Sequence, residues 1–201
     1  MPNPIESWRL FIAIELPRDV RHQIKHHIDH LRAQLPNVRA SWVREDNLHL
    51  TLKFLGDTPL DRIEAISSAL AGAANKTDMF EIQIGGCGAF PPRGKPSVLW
   101  IGIEDLSGSL RQLHGRIEDG CGAAAIARDS RSFHPHLTIA RLREPHGARQ
   151  LAQLHQDTGF DVLSVRVDGV SLIRSELSSA GSRYTTLGRF EFRAESQPGL
   201  R

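Results

Sequence analysis

The chain has 201 residues, with 25 Lys and Arg set against 23 Asp and Glu and a formal net charge of +2. Hydrophobic residues at 40% and charged residues at 24% exclude a disordered chain,. So weak a basic excess permits a nucleic-acid partner without demanding one, and phosphate binding must come from local groups of Arg and Lys.

The length suits a single domain over the whole chain, with its core at about 9–192,. Arg9 to Leu16, RLFIAIEL, is an apolar run stopped by Pro17 and reads as a buried strand,. Val20, Ile24, Ile28, Leu31 and Leu35 then recur at helical spacing, and Pro36-Asn37 ends that helix,. The segment Trp42 to Leu55 contains the first informative strand. There Leu48, Leu50, Leu52 and Phe54 alternate with His49, Thr51 and Lys53, so the period of two puts the first set on one face and the second on the other,. Gly56-Asp57 is read as its end. Asp61 to Ala74 is a second helix. Glu81 to Ile84 is a strand leading into a turn at Gly85-Gly86-Cys87-Gly88, and a loop from Phe90 to Ser97 carries Arg93 and Lys95. VLWIGI, Val98 to Ile103, is another buried strand, followed by a helix over Leu106 to Asp119 and a strand from His136 to Ile139. A short helix is expected at Gly147 to Leu154, and strands at Val162 to Ile173 and Tyr184 to Phe192. The polar tail from Ala194 is expected to fray.

Two units repeat along the chain: RLFIAIEL, a helix and HLTLKFL, then VLWIGIED, a helix and HLTIARL. Such repetition predicts two related lobes facing one another. Each lobe carries a His-x-Thr tetrapeptide, His49 to Leu52 and His136 to Ile139. On a strand each His shares a face with its Thr, so a pseudo-twofold would bring two imidazoles and two hydroxyls around one small group. Phosphodiester cleavage needs such a set. One imidazole takes a proton from the attacking water and the other gives one to the leaving sugar oxygen. Hydroxyl donors steady the charge on the non-bridging oxygens. No metal or other cofactor is required by this scheme.

The blocks RLFIAIELP, WVREDNLHLTLKFLGD, GAFPPRGKPSVLWIGIE, FHPHLTIARL and SELSSAGSRYTTLGRFEF carry a resemblance over Arg9 to Phe192. In their order and spacing the chain resembles the 2H phosphoesterase superfamily, in particular the RNA 2′,3′-cyclic phosphodiesterases first named 2′-5′ RNA ligases. The resemblance implies a bilobal α+β fold whose antiparallel sheets line a central groove. It implies an RNA end bearing a 2′,3′-cyclic phosphate as substrate, opened to a 2′-phosphate, with 2′-5′ joining as the reverse activity. It implies His49 as proton donor to O3′, His136 as the base that activates water, and Thr51, Thr138 and Arg141 as phosphate-binding groups. Strand parity alone puts Arg141 on the face opposite His136. One departure is Ser179-Ala180-Gly181, where the family pattern has Pro before the Gly.

Trp42, Phe90 and Phe133 flank the motifs and are candidates for stacking on bases, with core packing as the alternative. Arg93, Lys95 and Arg131 are candidates for phosphate contacts. His22, His26 and His30 lie at i, i+4, i+8 but off the apolar stripe, which predicts a solvated face and not a metal site,. His134 adds an imidazole two residues before His136. Two further readings stay open: a small cyclic phosphonucleotide as substrate, and an RNA-end-binding module without catalysis.

Cys87 and Cys121 are outside any CxxC, which argues against a disulfide framework or a Cys-type zinc site and for a reducing cytoplasm,. No run approaches a membrane span. Met1 to Trp8 lacks a basic stretch followed by an apolar one, which predicts no secretory leader,. A cytoplasmic location is therefore expected, and the chain is expected to be a monomer.

Overall fold

The computed structural model describes residues 6–178 and 181–194. The Ser179-Ala180 departure and nearly all of the C-terminal tail lie outside them. The element order is β1 (Ser7–Glu15), α1 (Arg18–Gln34), β2 (Ala40–Trp42), β3 (His49–Pro59), α2 (Ile63–Ala74), β4 (Phe80–Phe90), β5 (Val98–Glu104), α3 (Ser109–Ala123), β6 (His136–Leu142), α4 (Ala148–Thr158), β7 (Leu163–Val167), β8 (Gly169–Ser178) and β9 (Gly181–Glu191).

Two sheets form, in the orders β3-β1-β8-β9 and β2-β6-β5-β4-β7. Every strand pair in them is antiparallel. Sequence-adjacent units thus pair directly: β1 with β3 in one sheet, β5 with β6 in the other. Helices α2 and α3 pack together and cover the first sheet, while α4 covers the second and receives α1. One apolar core joins the sheets to these helices. It includes Leu10, Ile12 and Ile14 of β1, Leu50 and Leu52 of β3, Leu99 and Ile101 of β5, and Leu137 and Ile139 of β6. Each such Leu or Ile contributes roughly 1.5–3 kcal/mol of burial free energy. The opposite strand faces look into the central groove, and β3 approaches β6 directly.

The expected elements are present, with three corrections to their bounds. The Gly85-Gly86-Cys87-Gly88 stretch is not a turn. It lies inside β4, where a bulge between Gly85 and Cys87 leaves Gly86 unpaired at φ 72°,. Gly56 does not end β3, because the strand runs on to Pro59 past a second irregularity. Val162 to Ile173 is two strands rather than one.

A further correction concerns which side chains face the groove. Along β3, Ala13 pairs with Thr51 and Ile12 with Lys53, so Leu52 is an extra residue. Parity flips there, and alternation no longer holds. Lys53, expected beside His49, turns into the interior at 1% exposure, while Phe54, expected inside, is 62% exposed,. The buried ammonium donates to Glu118 Oε1 at 2.6 Å and to the Ala127 carbonyl at 2.9 Å, tying β3 to α3 and to the segment that leads to β6.

Candidate active site

The two histidines occupy matching places. His49 opens β3 and pairs with Glu15 of β1, and His136 opens β6 and pairs with Gly102 of β5. Each ring is held the same way. His49 Nδ1 lies 2.8 Å from the Asn47 carbonyl, and His136 Nδ1 lies 2.8 Å from the His134 carbonyl. A carbonyl oxygen only accepts, so Nδ1–H is the donor in both rings. In the neutral ring the lone pair is then at Nε2. His134 thus contributes its backbone carbonyl to holding the His136 ring.

His49 Nε2 is 2.9 Å from Thr51 Oγ1, which donates to the neutral ring. Thr51 follows on the same face because the strand is regular up to Leu52,. The side chain of His49 packs between two rings, Phe11 at 4.8 Å and Tyr184 at 5.4 Å, and Phe11 and Tyr184 touch edge-on at 5.0 Å. Phe11, Ala13 and Ile173 form a small apolar cluster with Tyr184 on this face. Burial among these groups lowers the His49 pKa from its ordinary value, partly opposed by the Asn47 carbonyl and by the Glu15 carboxylate,. Asn47 Nδ2 also donates to the Ser182 carbonyl at 2.9 Å, so the segment that positions His49 is fastened to the β8–β9 hairpin.

His136 likewise has two aromatic neighbours, Phe90 at 5.1 Å and Trp100 at 6.5 Å. Trp100 pairs with Thr138 and covers Gly88 of β4. A Cβ at Gly88 would fall 2.1 Å from the indole Cζ2, so the close approach of that ring requires glycine,. Trp100 Nε1 is buried and has no hydrogen-bond partner among the described residues.

Arg141 stands where parity would not have put it. Trp100 pairs with Thr138 and Leu99 with Ala140, which makes Ile139 an extra residue. Ile139 and Ala140 are both buried, and Arg141, paired with Val98, comes to the face of Thr138 and His136,. His136, Thr138 and Arg141 therefore share one groove face, as do His49 and Thr51 on β3.

The remaining candidates are dispersed. Phe90 lies against His136 and Trp100. Trp42 pairs with Ala140, a core-facing position, and packs against the main core. Phe133 stacks on His114 at 4.0 Å. Arg93, Lys95 and Arg131 are exposed. His22 and His26 are exposed on α1, edge to face at 5.2 Å. Phe11, Glu15, Phe54, Trp100 and Tyr184 were not singled out from the sequence. Phe11 and Trp100 sat within runs read as buried strands. Tyr184 is the only tyrosine in the chain and lies within a block already matched to the family.

These two half-sites are built on repeated antiparallel strand pairs, β1 with β3 and β5 with β6. The 2′-5′ RNA ligase superfamily model matches residues 20–178. The chain belongs to that superfamily. It is 32% identical over 189 residues to the RNA 2′,3′-cyclic phosphodiesterase of Methanothermobacter thermautotrophicus, covering 90% of this chain and 97% of the relative. It is 32% identical over 186 residues to the protein of that name from Escherichia coli, covering 92% and 97%. Among solved structures it is similar to TT0787 of Thermus thermophilus, with a TM-score of 0.77, 30% identity, and coverage of 94% of this chain and 100% of that one. It is also similar to E. coli LigT complexed with 3′-AMP, with a TM-score of 0.71, 29% identity, and coverage of 93% and 99%. No helix among the described residues is long and apolar enough to cross a membrane.

Proposed function

We propose that this protein hydrolyses the 2′,3′-cyclic phosphate at RNA ends to a 2′-phosphate, with His49 and His136 as its acid–base pair and no metal in the reaction. One observation carries the reading. Two histidines, each fixed through Nδ1 to the carbonyl two residues before it and so leaving Nε2 free of that contact, open equivalent strands, β3 and β6, that approach one another directly. Relatives bearing the name RNA 2′,3′-cyclic phosphodiesterase add to it, as does a neighbouring LigT structure that holds 3′-AMP.

In this mechanism neutral His136 takes a proton from water through Nε2 as the oxygen attacks phosphorus. The P–O3′ bond breaks, and O3′ takes the proton held on His49 Nε2. Thr51 and Thr138 donate to the non-bridging oxygens, and Arg141 sets a cation against the developing charge. Burial disfavours protonated His49 in the free protein, and an anionic phosphate beside it restores the acid form,. Substrate binding therefore loads the proton donor. A 5′-hydroxyl in place of water would open the same ring into a 2′-5′ linkage, which is the joining reaction. A cytoplasmic monomer is the form proposed.

The test is an RNA oligonucleotide ending in a 2′,3′-cyclic phosphate, incubated with the protein in excess EDTA. The expected product is a 2′-phosphate end, lost in both His49→Ala and His136→Ala. Turnover unaffected by either substitution, or abolished by EDTA, would refute the mechanism. Turnover confined to a mononucleotide cyclic phosphate would move the substrate to the small-molecule class.

A further inference from the structure

Behind the second sheet lies a polar cluster that the phosphoester chemistry does not use. His155 of α4 is 0% exposed, yet it sits in the apolar layer between α1, α4 and β4. His155 Nδ1 is 2.9 Å from His27 Nε2 of α1, and His155 Nε2 is 2.9 Å from the Trp100 carbonyl. Cys87, a free thiol on the bulged part of β4, completes the group. One ring nitrogen from each histidine and Cys87 Sγ all lie within 4.8 Å of one another.

We propose that His27, Cys87 and His155 form a site of one thiolate and two imidazoles for a single divalent first-row cation, with Zn²⁺ the best fit.

The donors come from three separate elements, α1, β4 and α4, which only the tertiary fold brings together. Imidazole and thiolate are the ligands that Zn²⁺ favours over hard oxygen donors. His155 already has the supporting contact that metal-bound histidines need. Its far nitrogen donates to a backbone carbonyl, which fixes the ring and leaves Nδ1 for the ion,. The two facing nitrogens share one proton at 2.9 Å. An ion in its place would hold them about 3.3 Å apart, a shift of a few tenths of an ångström. The thiol would close by roughly 1 Å to reach its ordinary distance to zinc. His27 and Cys87 are only half-buried, which leaves a path inward and room for water at a fourth position.

The site is distinct from the catalytic groove. It lies behind the second sheet, and His155 Nε2 links it to the groove side through the carbonyl of Trp100, whose ring lies beside His136. Its role is a clamp among α1, α4 and β4, not a Lewis acid for the phosphate.

The experiment uses the full chain without an affinity tag, stripped with EDTA and dialysed, then titrated with Co²⁺. The expected result is one Co²⁺ per chain, thiolate-to-metal charge-transfer absorption, tetrahedral ligand-field bands, and displacement of both by Zn²⁺. Cys87→Ala should abolish the charge-transfer band, and His27→Ala should weaken binding at least tenfold. Both positions are half-buried, so these variants are expected to fold, as circular dichroism would verify. Zn²⁺ at a hundredfold excess over its dissociation constant should raise the unfolding midpoint by roughly 5–10 °C. His49→Ala and His136→Ala should bind Co²⁺ as the parent does. The proposal is overturned by the absence of a thiolate band, by a band that survives Cys87→Ala, or by binding lost only when His49 or His136 is replaced.

Discussion

Phe54 and Arg141 occupy the same place in the two halves of the molecule. Each is five residues after its motif histidine, and each is turned into the groove by an extra residue, Leu52 or Ile139, three residues after that histidine. The bulges are a shared device, but the side chains they present differ. One half offers an exposed aromatic ring and the other a guanidinium.

That difference predicts separable effects. Arg141→Ala should lower kcat/KM by about 10- to 100-fold, the size of a lost charged hydrogen bond, with no loss of stability. Phe54→Ala should leave the unfolding midpoint nearly unchanged and raise KM for an oligonucleotide, since a stacked base is worth roughly 1–3 kcal/mol. Steady-state kinetics on oligonucleotide and mononucleotide substrates separate the two. Equal effects of Phe54→Ala on both substrates would rule out a role for its ring in holding the chain of the RNA.

His49→Ala and His136→Ala should each cost about 10²- to 10⁴-fold in kcat, the range of one positioned acid or base. The double variant should cost less than the product of the two, because the remaining imidazole has no partner step to complete. Both variants should fold, since each ring lies at the groove face. Single-turnover rates and thermal unfolding check both halves of this expectation.

The pH dependence follows from the burial of His49. Its folded-state pKa lies below the ordinary histidine value, so in the free protein His49, the proposed donor, loses its proton as pH rises through that lowered value. The falling limb of kcat/KM, which reports the free enzyme, should therefore lie on the acid side of about 6.5. Bound phosphate opposes the burial effect, so the same limb in kcat should move to higher pH. Glu15→Gln removes a carboxylate that supports the charged form and should shift the kcat/KM limb further toward acid,. Paired pH profiles of the two parameters test this, and coincident limbs would contradict it.

Lys53 predicts a stability effect rather than a catalytic one. Replacing it with Met leaves the Glu118 carboxylate buried without its cation, which should cost about 3–5 kcal/mol. Adding Glu118→Leu should recover much of that loss, because an apolar pair of similar volume avoids the desolvation of two charges. Chemical denaturation of the single and double variants measures both values.

Much of this protein was legible in its sequence. The doubled His-x-Thr unit, the apolar run before each copy and the helical spacing between them are local patterns, read directly from periods of 2 and 3.6. They were sufficient for the α+β class, the paired half-sites and His49 with Thr51 on one strand face. What they could not contain is register. A bulge depends on which residue of the neighbouring strand lies opposite, so alternation put Lys53 on the face of His49 and Arg141 away from the face of His136, and both were reversed. Lys53 tolerates the interior because Glu118 and the Ala127 carbonyl, both distant in sequence, meet it there. The same holds for Tyr184 against His49, and for His27, Cys87 and His155 behind the sheet. Local periodicity is set by backbone geometry within one segment, whereas these groupings exist only once segments far apart in the chain have packed together.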